Sequence, residues 1–235
     1  MSERLRLFQS VLFTSSFLFL LWIVKITEYV FFIDLSSLGL YPRTLRGSLG
    51  IITSPLIHDD FYHLISNSFP IAILGISLWY FYREVAYKVI IIIYFLSGFW
   101  VWIAARPAFH IGASGIVYGL MFFLLFMGIL RMERKTLSIS LIVILLYGSS
   151  IISGLIPMSE GVSYETHITG AIAGLFSAFL YRKNDYILFD NQRGMENEMQ
   201  GNQQTIEEVY HSSHTADSET IITVNYKYSK PEKEK

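Results

Sequence analysis

Three short stretches of this sequence hold side chains that could do chemistry together. They are HIGASGIVYG around Ser114, ETHITGAIAG around His167, and His63 followed four residues later by Asn67. A serine hydroxyl beside a neutral imidazole is the minimum equipment for nucleophilic catalysis, with histidine as general base and then general acid. His63 and Asn67 share one helix face by their i, i+4 spacing. Both can donate to a tetrahedral oxyanion, alongside the Ser114 backbone N–H. Tyr118 follows Ser114 by the same spacing. The chain has no cysteine, which excludes disulfides, thiolate metal sites and cysteine nucleophiles.

The elements that position these residues are membrane helices. The 235 residues are 52% hydrophobic and 16% charged, with a mean hydropathy of +0.43, whereas a soluble chain carries about 25% charge. The deficit is uneven, because 15 of the charged side chains lie in the last 52 residues. Residues 1–183 therefore read as a membrane domain and 184–235 as a polar, disordered cytoplasmic tail. Within the tail, TIITVNYKY has the makings of a strand, and His211 and His214 form an HxxH pair without a fixed acidic partner. No basic patch with interleaved aromatics appears, which argues against nucleic acid as a partner.

A hydrocarbon core takes roughly 17–25 apolar residues per helix. Six runs qualify, at about 10–33, 61–81, 88–105, 113–131, 137–156 and 166–181, the last being short and Gly-rich. The first run is too long for a cleavable signal and no small-residue site follows it. Nine basic residues flank one side of these spans (Arg4, Arg6, Arg83, Lys88, Arg131, Arg134, Lys135, Arg182, Lys183) and three the other (Arg43, Arg46, Arg106). By the positive-inside rule both termini are cytoplasmic, which needs an even number of spans.

In that topology the second, fourth and sixth spans all run from outside to inside. Their N-terminal ends carry His63 with Asn67, then Ser114 with Tyr118, then His167, so three sequence-distant positions form one layer. Buried polar groups at such a depth need a protein-lined, water-filled cavity. Gly115 and Gly119, and Gly170 and Gly174, make small-xxx-small faces on the fourth and sixth spans. Packing these faces together would bring His167 to Ser114.

With these elements in order, the sequence resembles the rhomboid intramembrane serine proteases over roughly residues 40–182. The resemblance rests on Gly112-Ala113-Ser114-Gly115 with Tyr118, on His167 with Gly170 and Gly174, and on His63-x-x-x-Asn67 preceded by His58. It implies an all-α polytopic six-transmembrane-helix rhomboid fold and a Ser114–His167 dyad without a carboxylate. It also implies an oxyanion hole from His63, Asn67 and the Ser114 N–H, with Tyr118 stacked on His167. Implied substrates are transmembrane segments of single-pass proteins, cut in the lipid bilayer near the outer face. No cofactor and no metal are required, and a compact six-span core favours a bacterial inner membrane. Many rhomboids carry Trp-Arg in the first outer loop, where this chain reads Leu49-Gly50 with Arg46 nearby. That departure bears on the loop's anchoring.

Blander readings stand beside this one. A lone membrane serine usually back-bonds to a carbonyl or packs against a neighbour. His58 lines the entrance, supports the oxyanion hole or is a plain loop histidine, and His110 reads as structural at the outer interface. Lys25 and Glu28 neutralise each other, with Lys25 reaching toward headgroups. Ser149, Ser150 and Ser153 read as packing or hydrogen-bonding positions. A catalytically silent rhomboid-like binder of transmembrane segments is the alternative function, although this chain keeps both dyad residues. A metal or transport protein using His58, His63, His110 and His167 is a third.

Overall fold

The computed structural model describes residues 2–156 and 163–183. The tail, its TIITVNYKY segment and His211 and His214 lie outside the described residues. Six long helices carry the architecture: α1 (Glu3–Phe31), α3 (Phe61–Phe81), α4 (Arg83–Ala104), α5 (Ser114–Arg131), α6 (Arg134–Leu155) and α7 (Tyr164–Tyr181). A four-residue helix, α2 (Gly50–Thr53), and three 3-10 turns lie in the loop between α1 and α3. Among the described residues the β pairing is a single bridge between Leu40 and His110.

Five of the long helices, all but α7, are long and apolar enough to cross a membrane. α7 matches α5 in length at 18 residues, but its buried face is made of Thr169, Gly170, Ala171, Ala173, Gly174, Ser177 and Ala178. Small and polar residues lower its hydropathy and let it sit deep against α5.

Local chemistry explains the helix ends. α1 starts at Glu3, seven residues before the hydropathy boundary, because Ser2 Oγ accepts from Leu5 N–H at 3.4 Å and Glu3 occupies the positive first turn. Asp60 caps α3 by accepting from His63 N–H at 2.6 Å. Tyr82 alone turns the chain from α3 into α4.

The α5–α7 contact is backbone on backbone. A Cβ on Gly170 would overlap the Gly115 carbonyl and lie 3.0 Å from Gly115 Cα, and one on Gly174 would meet Gly119 in the same way. The two small-xxx-small faces therefore meet glycine to glycine. On the other flank Trp22 Nε1 of α1 donates to Ser68 Oγ of α3 at 3.2 Å.

The loop 34–60 lies against α4. Arg43, in the left-handed region at φ 56, donates from Nη1 to the carbonyls of Ile103 at 3.2 Å and Ala105 at 2.9 Å. Trp102 Nε1 returns a bond to the Thr44 carbonyl at 2.9 Å. A cation on the last carbonyls of a helix is favourable. Leu49 is exposed, and Gly50 presses on the Leu40 backbone. Arg43 and Trp102 thus tie down a loop that lacks Trp-Arg, and they do so to protein backbone.

The charged pair of α1 corrects the sequence reading. Lys25 and Glu28 do pair, at 2.8 Å. However, Lys25 turns inward, is 8% exposed, and donates to the carbonyls of His58 at 3.0 Å and Asp59 at 2.7 Å.

Candidate active site

α5 opens without a side-chain cap. Gly112 adopts φ +102, a conformation that L side chains rarely take, and a Cβ there would stand 2.6 Å from the His63 ring. Ala113 follows as the N-cap residue, and its carbonyl accepts from Ile116 and Val117. The backbone N–H groups of Ser114 and Gly115 have no partner among the described residues. They are the free donors that every uncapped helix start leaves.

Ser114 Oγ likewise makes no hydrogen bond to a described residue. Serines elsewhere behave differently: Ser10, Ser16, Ser68, Ser77, Ser138 and Ser177 all back-bond to the carbonyl four residues earlier. As the first residue of α5, Ser114 has no helical carbonyl one turn behind it.

His167 lies in the first turn of α7 and is 9% exposed. Its ring stacks on Tyr118 with centroids 4.2 Å apart and planes within 8°. Its Nδ1 lies 2.8 Å from the Gly154 carbonyl of α6. A carbonyl only accepts, so Nδ1 carries the proton and Nε2 keeps its lone pair. The Tyr118 hydroxyl donates to the Ser150 carbonyl at 2.5 Å. α6 therefore holds both rings through its backbone. Gly154 is required there, since a Cβ would overlap the Tyr118 hydroxyl and stand 3.0 Å from His167 Nδ1. The sequence marks the α6 serines as packing or hydrogen-bonding positions but does not point to either carbonyl, because a main-chain acceptor has no residue-type signature.

On the α3 side, the His63 ring covers Gly112 and meets His58 edge-on, with centroids 5.1 Å apart. Asn67 is buried one turn on, and its Nδ2 donates to the His63 carbonyl at 2.9 Å, which leaves one amide N–H. His58 is 1% exposed and accepts the Ala113 N–H through Nε2 at 3.3 Å. It is thus a buried support for the α5 start, and not a plain loop histidine. His110 is also buried; it does not face the interface. Its Nδ1 lies 2.6 Å from Ser163 Oγ, and its Nε2 3.1 Å from the Arg106 carbonyl.

These bonds commit ring nitrogens of His58, His110 and His167 to backbone or hydroxyl partners. Among the described residues no three His, Asp or Glu side chains are grouped to hold a metal ion.

Residues 46–184 match the Rhomboid domain family. The chain belongs to the rhomboid family. Uncharacterized proteins of Mycobacterium tuberculosis and Mycobacterium bovis are each 30% identical to it over 173 residues, covering 70% of this chain and 72% of theirs. An uncharacterized protein of Mycobacterium leprae is 28% identical over 176 residues, covering 70% and 68%. This rhomboid is a multi-pass integral membrane protein. Rhomboids are generally serine proteases acting on membrane-protein substrates in the bilayer.

Burial of His58 is expected to make the rhomboid's stability pH-dependent. Desolvation, and then the neighbouring His63, pushes its imidazole from 6.5 down to about 4, with Lys25 adding to the effect and the Leu56 carbonyl opposing it. Between those values the unfolded chain binds a proton that the folded chain does not, so stability falls as pH drops from 6.5 to 4. The full loss is roughly 3 kcal/mol. His58→Gln should flatten that limb in thermal melts in detergent. An unchanged limb would place the acid sensitivity elsewhere.

Proposed function

We propose that this rhomboid is an intramembrane serine endopeptidase that hydrolyses peptide bonds in or near transmembrane segments. The observation that carries this reading is the His167 tautomer. Nδ1–H is fixed on the Gly154 carbonyl and the ring is clamped by Tyr118, which leaves Nε2 basic in the first turn of the helix that crosses α5 beside Ser114. No carboxylate is needed to orient the ring, since the carbonyl does that work.

In this mechanism Ser114 Oγ attacks the scissile carbonyl while His167 Nε2 takes its proton. The oxyanion is met by the free N–H groups of Ser114 and Gly115, with His63 and the remaining Asn67 N–H as side-chain donors. Collapse of the tetrahedral intermediate expels the amine, which receives the proton from His167. Water then enters by the same base catalysis, hydrolyses the Ser114 ester and returns the enzyme. A substrate helix hides its carbonyls in i→i+4 bonds, so a segment that unwinds is the form cleaved.

Both termini are cytoplasmic in this reading, and the site lies toward the outer face of a bacterial inner membrane. Supporting this, Arg131 reaches the Arg182 carbonyl at 3.3 Å and Arg6 lies over Tyr80 at 5.1 Å, which gathers basic residues at the end of the bundle away from Ser114.

Fluorophosphonate labelling of the detergent-purified protein tests the proposal. Wild type is expected to label and Ser114→Ala to stay blank. No labelling of demonstrably folded wild type would overturn it and leave the silent binder of transmembrane segments.

A further inference from the structure

A buried ammonium must satisfy three N–H donors or lose heavily on desolvation. Lys25 of α1 finds three acceptors: Glu28 Oε2 at 2.8 Å, the Asp59 carbonyl at 2.7 Å and the His58 carbonyl at 3.0 Å. Glu28 is itself fixed, since its other oxygen accepts from Leu35 N–H at 3.1 Å. The ammonium therefore clips two consecutive peptide units of the segment entering α3 onto α1.

The clipped segment leads directly to the site. His58 supports the α5 start by accepting the Ala113 N–H, one residue before Ser114. Asp60, next after the clip, caps α3 through the His63 N–H. His63 in turn covers Gly112 and meets the His58 ring. One cation on α1 thus binds the carbonyl of His58 itself and that of Asp59, directly before the residue that caps the His63 turn.

We propose that Lys25 is a positioning residue, holding His58 and His63 in register with the N-terminus of α5 and so making α1 part of the catalytic apparatus. Lys25 does not touch the reacting atoms. It acts through the two carbonyls it binds. The role rests on the protease reading, and the experiment below separates the two.

The test compares wild type, Lys25→Met, and Lys25→Met combined with Glu28→Gln. The double variant removes the carboxylate that Lys25→Met would leave buried without its partner. Turnover of a transmembrane reporter, fluorophosphonate labelling and hydrogen exchange across residues 56–66 are measured on each full-length protein. The double variant is expected to melt closer to wild type than Lys25→Met does. It should still show kcat lowered at least tenfold with KM within twofold, and faster exchange at 56–66 but not along α6. Wild-type kcat in a double variant that has lost protection at 56–66 would overturn the positioning role and leave the protease reading intact. Unchanged exchange in both variants would overturn the clip itself. Failure of wild type to label would strike the protease reading, and the catalytic part of this proposal with it, while exchange would still report the clip.

Discussion

Alanine at His167 or at Ser114 is expected to lower kcat for a transmembrane reporter in proteoliposomes by about four to six orders of magnitude. Alanine at both should be no worse than either alone. In the proposed dyad the pair would act as a unit: without Nε2 the hydroxyl would keep its proton, and without the hydroxyl the base would have nothing to activate. What survives is the free N–H groups of Ser114 and Gly115 and the binding surface, which neither substitution touches. Folding should be preserved, because Ser114 Oγ supports no other described residue. His167→Ala removes the bond to Gly154 and the Tyr118 stack, so a modestly lower melting temperature is expected for that variant. Additive losses, or a Ser114→Ala protein that cuts the reporter at the wild-type rate, would sink the dyad.

The second large effect is expected at the α5–α7 crossing, seven residues from His167. A methyl at Gly174 would overlap the Gly119 carbonyl, a collision with backbone that no rotamer relieves. Gly174→Ala is therefore expected to destabilise by about 1–3 kcal/mol or more, and Gly174→Val to reduce folded yield sharply. Activity should fall further than stability. Separating the helices moves His167 relative to Ser114, and a shift of about 1 Å can cost roughly a hundredfold in rate. Gly148→Ala on α6 is the control, since its added Cβ would meet only Ile144 at an ordinary 3.8 Å. That change should be neutral or stabilising by up to about 1 kcal/mol. Equal melting temperatures for Gly174→Ala and Gly148→Ala would show that the crossing is looser than the packing implies.

The sequence alone was enough for the six long helices and for the family. Apolar runs long enough to span a bilayer, broken by basic turns, follow from the absence of water in the hydrocarbon core and need no tertiary information. The glycine spacing predicted the α5–α7 contact because close approach demands missing side chains, and missing side chains are visible in a sequence. Ser114, His167, His63 and Tyr118 stood out because polar and ionisable side chains at membrane depth ask for a reason.

Tertiary structure decided what holds those side chains. The Gly154 carbonyl that sets the His167 tautomer, the Ser150 carbonyl that takes the Tyr118 hydroxyl, and the Ala113 N–H on His58 are all main-chain groups. Every residue has such groups, so no residue type announces them. Lys25 shows the same limit from the other direction. Its charge and its Glu28 partner are plain in the sequence, and a long side chain near a helix end suits either headgroups or protein. It turned inward because loop 34–60 brings the carbonyls of His58 and Asp59 to its side of α1, and three fixed acceptors offset the cost of burying its charge.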